Sequence, residues 1–273
     1  MDTLWIGKMN PFCIIISMKF SILTYNVLFN KAYLRIKPIL EKHKPDFLCL
    51  QEVDTSEENL KKLQVFGYTL ADYSNTFIQF GRIFGVVTFY NQKKFKLSES
   101  DSINLPRSVY DFFQILLRGG KRRTVLKTDF ISITSTHRLS LYNIHLTVYG
   151  INSIRIKQVK KTLENIEISK NPTIITGDFN YFPYRRKVLE ELMIKYGFKE
   201  ATKNIDYTIH YPHRSITQYN FIQEIGAKIA RRFFNGRLKT DFAFYKNIPA
   251  IGAKRINIAF SDHFPILSTF EFK

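Results

Sequence analysis

The chain has few cysteines: two in 273 residues, Cys13 and Cys49. Two thiols build no disulfide framework of the kind that holds small secreted domains together, so an intracellular, reducing compartment is expected over secretion. There is no clustered cysteine–histidine spacing, which argues against a structural zinc site. Long apolar runs are also missing. None approaches the ~20 residues that cross a bilayer as a helix. Phe12–Ile16 is brief, lacks a small-residue cleavage site and is followed by Lys19, so it reads poorly as a secretory leader. Residues 1–17 are therefore expected to be an extension, and residues 18–273 one domain. Acidic residues are in deficit, with 23 Asp and Glu against 41 Lys and Arg, for a net charge of +18. That balance points to an anionic partner: nucleic acid, a phospholipid surface or a phosphorylated small molecule.

What is present is a packed globule's composition, 45% hydrophobic and 15% aromatic. Several short apolar runs of β type end in polar residues. Phe20–Leu23 leads into Thr24, Tyr25 and Asn26, and Asp46–Cys49 into Leu50, Gln51 and Glu52. Leu139–Tyr142 leads into Asn143, Ile144 and His145, and Thr173–Ile175 into Thr176, Gly177, Asp178, Phe179 and Asn180. Asp241 opens the run to Tyr245, and Ser261, Asp262 and His263 precede Phe264–Phe272. Helical periodicity covers Ala32–His43, with Pro38 in an early turn or at a kink, Ile151–Ile168 and Arg185–Tyr196. Thr55–Glu58 has the form of a capping box that opens a further short helix. Each polar ending taken alone is ordinary turn chemistry.

In this combination and order the runs resemble the endonuclease/exonuclease/phosphatase superfamily, metal-dependent phosphodiesterases that include pancreatic deoxyribonuclease. The resemblance extends from Met18 to the C-terminus. It implies an α/β (α+β) fold, a four-layer sandwich of two packed mixed β-sheets with helices on the outside and a site at one end. It further implies Mg²⁺, with Mn²⁺ as an alternative, held by Glu52 with Asn26 and Asp262. His263 is expected to pair with Asp241, and Asp178 and Asn180 to hold or activate the attacking water. Whether Asp178 or His263 takes the proton is left open. His145 is expected to stabilise the phosphate and to be a candidate general acid. A His here groups the chain with deoxyribonucleases, tyrosyl-DNA phosphodiesterases, deadenylases and sphingomyelinases, apart from abasic-site endonucleases. Arg155 and Gln158 stand where family members often carry an Arg and a Gln. Arg122 and Arg123 in a basic glycine loop, with Arg155 and Arg185, are the expected substrate contacts.

Two substrate classes share this pattern. The charge favours a nuclease or DNA-end-processing enzyme, because Lys and Arg release counterions from a polyanion. A phospholipid or phosphoinositide phosphodiesterase gains from Asn220–Phe234, whose apolar face carries Lys228, Arg231 and Arg232 beside it, with Arg237 just beyond. A binding protein without activity fits less well with the full set of carboxylates and imidazoles.

Overall fold

A computed structural model of the chain describes residues 17–64, 66–79, 81–107, 123–135, 137–148, 150–166, 170–210, 232, 236–258 and 260–273. Arg122, the leader-like Phe12–Ile16 and nearly all of the Asn220–Phe234 segment, including Lys228 and Arg231, lie outside the described residues.

Twelve strands form two six-stranded mixed sheets. The first contains β1 (Met18–Asn26), β2 (Phe47–Asp54), β3 (Thr69–Gln79), β4 (Arg82–Tyr90), β11 (Ala250–Arg255) and β12 (Ile266–Phe272), in the order β11-β12-β1-β2-β4-β3. The second contains β5 (Phe95–Asn104), β6 (Thr124–Ser132), β7 (Arg138–His145), β8 (Thr173–Asp178), β9 (Lys199–Glu200) and β10 (Asp241–Lys246), in the order β5-β6-β7-β8-β10-β9. Among the strand pairs of the described residues, only β1 with β2 and β7 with β8 run parallel.

Strand alternation explains the layers. Phe20 and Ile22 of β1, Phe47 and Cys49 of β2, Phe130 of β6, Leu139 and Leu141 of β7, Ile174 of β8 and Phe270 of β12 pack together between the sheets. The intervening residues face outward. Leu23, Tyr25, Leu48 and Leu50 lie beneath α1 (Lys37–His43) and α2 (Glu57–Gln64). Tyr142, Ile144, Ile175, Phe242 and Phe244 lie beneath α3 (Asn152–Glu164) and α4 (Arg186–Lys195). Helices, sheet, sheet and helices give the four layers expected. Strands covered on both faces read as continuous apolar runs, which is why β2 is buried at every position.

One local expectation is refined and one corrected. The helical stretch over Ala32–His43 divides into a 3-10 turn, Tyr33–Arg35, and α1, while Pro38 sits in the first turn of α1, as expected of it. Proline lacks the N–H and its ring crowds the carbonyl four residues back, so the helix restarts there. The Thr55 cap does not form. Its hydroxyl donates to Asn75 Oδ1 at 2.6 Å, and the first helical carbonyl bond runs from Leu60 N–H to Ser56.

Candidate active site

The inner-face rows change character along their length. They are apolar through the middle of the sandwich and end in Asn26 on β1, Gln51 on β2, His145 on β7 and Asp178 on β8. Because the two parallel pairs share a carboxyl end, these endings meet at one edge of the sandwich. Register fixes the neighbours: Asn26 lies opposite Gln51, and Asp178 stands between His145 and Asp241 on the flanking strands. Gly177 is required for this fit, because a Cβ there would meet the Ile144 carbonyl oxygen at 2.1 Å.

Glu52 reaches the same edge by a different route. Pairing of β2 with β4 slips between Leu50 and Val53, and Glu52 takes a left-handed φ of 57°. For a residue with a Cβ such a conformation costs about 1–2 kcal/mol. It turns the carboxylate toward Asn26, whose amide donates to Glu52 Oε1 at 3.2 Å and to Asp178 Oδ2 at 3.1 Å. Leu28, Phe29 and Asn30 follow in left-handed conformations, and Phe29 N–H donates to Glu52 Oε2 at 3.1 Å.

Asp178 is held on its other side. Asn180 donates through its backbone N–H to Oδ1 at 2.8 Å and through its amide to Oδ2 at 3.1 Å. His263 Nδ1 is 2.9 Å from Asp241 Oδ2, and its Nε2 is 3.7 Å from Asp178 Oδ2. Ser261 aligns the loop that carries Asp262 and His263: its hydroxyl lies 2.8 Å from the Asn26 carbonyl oxygen and accepts from His263 N–H at 3.2 Å. His145 Nε2 is 3.7 Å from both Glu52 Oε1 and Asp178 Oδ2. Among the described residues neither ring nitrogen of His145 has a hydrogen-bond partner, and the side chain is wholly buried.

The site sorts its charges. Burial, then the Asp262 carboxylate, push Glu52 up to about 7, against the Asn26 hydrogen bond and the His263 charge. Burial also raises Asp178 to about 6, with His263 opposing it. Burial works against a charged His263, but Asp241 and Asp178 outweigh it and hold the ring well above its usual range. For His145, burial and then the Arg123 and His263 charges keep the ring neutral. Among the described residues, Asp178, Asp241 and His263 offer ligand atoms within 4.8 Å of one another and could accept a cation. Glu52 shares the Asn26 amide with Asp178 and feels the charge of Asp262.

The expected substrate arginines separate. Arg123 lies over the Phe77 ring at 5.7 Å, and that ring meets His145 edge-on at 6.1 Å. Arg185 is exposed at the start of α4. Arg155 is different. Its guanidinium is wholly buried and donates to the Thr147 and Val148 carbonyls at 3.0 and 2.7 Å and to Asn152 Oδ1 at 3.1 Å. No surface is left for a substrate, so Arg155 positions the loop after His145, as Gln158 does by accepting from Thr147 N–H at 3.1 Å.

Sequence reasoning did not find the tie behind the site. Gln51 Nε2 donates to Asn143 Oδ1 at 2.8 Å, and Asn143 Nδ2 donates to the Val87 carbonyl at 2.9 Å, joining the two sheets through buried amides. Only inter-sheet register brings them together, although both stand one or two residues before a site residue. Asn143→Ala takes one of three acceptors from the Gln51 amide, which keeps the Cys49 carbonyl and the Thr24 hydroxyl. It also removes the donor shared by the Leu50 and Val87 carbonyls, so it should destabilise the fold by about 1–3 kcal/mol in urea denaturation.

The sequence model of the Endonuclease/Exonuclease/phosphatase family matches residues 23–263. A curated relative, the probable CCR4-Not complex 3′-5′-exoribonuclease subunit Ccr4 of Enterocytozoon bieneusi (strain H348), is 25% identical over 276 residues, covering 84% of this chain. The match spans only about half of that relative, 55% of its length. The human Nocturnin catalytic domain with bound sulfate superposes with a TM-score of 0.70 at 18% identity, covering 93% of this chain and 95% of that one. D. rerio TDP2 complexed with single-strand DNA product gives a TM-score of 0.64 at 16% identity, covering 92% and 98%. The structural likenesses speak for the fold. With the family match running from β1 to the His263 that pairs with Asp241, the chain belongs to the endonuclease/exonuclease/phosphatase family.

Proposed function

We propose that the chain is a divalent-metal-dependent phosphodiesterase that hydrolyses nucleic acid. The observation that carries this reading is the charge arrangement of the buried edge. Glu52 and Asp178 both accept from the neutral Asn26 amide, and Glu52 is pushed up to about 7 by burial and then by the Asp262 charge. Carboxylates that resist ionising together are relieved by a divalent cation, and a few oxygen donors plus water suit Mg²⁺, with Mn²⁺ as an alternative. Glu52, Asp262 and Asn26 would hold it. Bound there, the ion neutralises charge on a phosphate oxygen.

The chain's own groups divide the remaining work. His263 is kept cationic by Asp241, so it is a hydrogen-bond donor to a phosphate oxygen and not a base. That leaves Asp178, held by Asn26 and Asn180 and ionised at neutral pH, to take the proton of the attacking water. His145 is neutral and, among the described residues, lacks a partner at either nitrogen. It serves as a hydrogen-bond donor to the phosphate.

The net charge of +18 supports nucleic acid over phospholipid, as does the description of a relative as a 3′-5′-exoribonuclease subunit. Hydrolysis of single-stranded DNA, single-stranded RNA, sphingomyelin and a phosphoinositide, with Mg²⁺ and with chelator, tests the assignment. Metal-dependent cleavage of an oligonucleotide is expected; turnover of lipid alone would overturn it. On a single strand, Arg185→Gln should flatten the salt dependence of binding by about 0.7 slope units, the effect of one lost phosphate contact.

A further inference from the structure

Beside the catalytic edge lies an aromatic ring that is fixed yet open. Tyr184 is 50% exposed, although three contacts immobilise it. Its hydroxyl oxygen accepts from Asn152 N–H at 3.2 Å, its carbonyl accepts from Asn152 Nδ2 at 2.8 Å, and its ring stacks on Phe182 with centroids 6.2 Å apart and planes 11° from parallel. Phe182 is anchored in turn. Its N–H donates to Asn152 Oδ1 at 3.1 Å, and the Arg155 guanidinium lies 4.7 Å over its ring. Packing alone does not account for this, because a ring recruited to the core would be covered. A membrane-inserting residue would leave its polar tip free to reach the headgroups; here the tip is tied down and the ring is presented.

Chain connectivity ties the ring to the site. Tyr184 follows Asp178 and Asn180 on one loop, and Asn152 opens α3 after the loop that leaves His145, so the ring pair is pinned between the two segments that follow the catalytic strands. Arg155 lies within electrostatic reach of both Tyr184 and Asp178. The exposed Arg185 comes next in the chain, with a left-handed φ of 57° that turns the backbone just past the ring.

We propose that the exposed face of Tyr184 stacks a nucleobase of the substrate strand adjacent to the phosphate being cleaved. The inference rests on the nucleic-acid reading above and adds to it a base subsite that tolerates sequence, because every base has a π-face. A preorganised ring binds without the entropy loss of ordering a mobile one. Stacking of this kind is worth roughly five- to 150-fold in affinity per base.

The test compares two single-stranded oligonucleotides of equal length and phosphate number, one with normal bases and one with abasic units flanking the cleaved bond. Wild type should prefer the normal strand by about tenfold in KM, and Tyr184→Ala should abolish that preference with kcat little changed. Tyr184→Phe keeps the ring and its stack on Phe182 but loses the Asn152 tie. It should retain most of the preference for the normal strand with a few-fold higher KM, which separates stacking from the hydroxyl's hydrogen bond. Equal losses on both strands would show that the ring only supports its loop, and no loss on either would remove the subsite; both overturn the proposal. A Tyr184→Ala variant with unchanged KM but weakened binding to phosphatidylserine vesicles would also overturn it, in favour of a lipid contact. If wild type cleaves neither strand, the nucleic-acid reading itself fails, a result distinct from all of these.

Discussion

Glu52→Gln should abolish nearly all activity and at the same time make the metal-free protein more stable at neutral pH. The side chain keeps its shape, but the charge that would hold the cation is gone. It also offers one acceptor oxygen in place of two, so it holds either the Asn26 amide or the Phe29 N–H and not both, which trims the gain by about 1 kcal/mol. The stability gain follows from linkage. Glu52 has a folded-state value of about 7, above its ordinary 4.5. A carboxyl raised in this way favours the fold fully below the unfolded value, and that contribution is lost as pH rises through the folded value. In chelator, wild-type stability should therefore fall between about pH 4.5 and pH 7, by up to about 3 kcal/mol from this group alone. Asp178, raised from 3.8 to about 6, adds a fall of the same sign at lower pH. Glu52→Gln should lose the upper part of this slope, and Mg²⁺ should flatten the wild-type curve while leaving the variant unmoved. Urea denaturation across this pH range, with and without Mg²⁺, reads all three effects. A variant less stable than wild type at pH 7.5 in chelator would show that the carboxylate is a structural partner and not a strained ligand.

Asp241 and His263 should behave as one device. The carboxylate at 2.9 Å orients the ring and keeps it charged, so removing either partner removes the same donor to the phosphate. Asp241→Asn and His263→Ala should each lower kcat by about 10³-fold or more, and the double variant should fall little further than the worse single one. A kinetic cycle measures this directly. Losses that multiply would mean that Asp241 acts apart from His263. The two variants should also differ in stability, since Asp241→Asn leaves a buried ring without its counter-charge, whereas His263→Ala leaves the carboxylate its contact with the Thr240 hydroxyl at 3.1 Å.

Much of this was legible in the sequence because the site lies where apolar strands end. Phe20–Leu23 and Thr173–Ile175 announce strands by their composition, and Asn26 and Asp178 mark the points where inner-face rows turn polar. Other features were hidden for physical reasons. The bulge that swings Glu52 toward Asn26 depends on pairing with β4, which local pattern does not encode. Strand β11 is mostly polar or exposed and carries no alternation to announce it. Arg155 has the same residue type whether it grips a substrate or, as here, the Thr147 and Val148 carbonyls; only burial separates the two. The Gln51–Asn143 tie joins residues 92 positions apart on different sheets, and periodicity has no reach over that separation. The left-handed run Leu28–Asn30 is likewise illegible, because neither leucine nor phenylalanine advertises a positive φ.

If the edge that carries Asn26, Glu52, Asp178, Asp262 and the Asp241–His263 pair cleaves phosphodiesters with the help of a divalent ion, its activity must follow the ion. The most direct measurement is the single-turnover cleavage of an end-labelled single-stranded oligonucleotide by chelator-treated wild type as Mg²⁺ is titrated back. The account predicts no cleavage in chelator and a saturable return of activity with Mg²⁺ that Asp178→Asn fails to show. Full cleavage in chelator, or an Asp178→Asn variant that recovers with Mg²⁺ as wild type does, would contradict it.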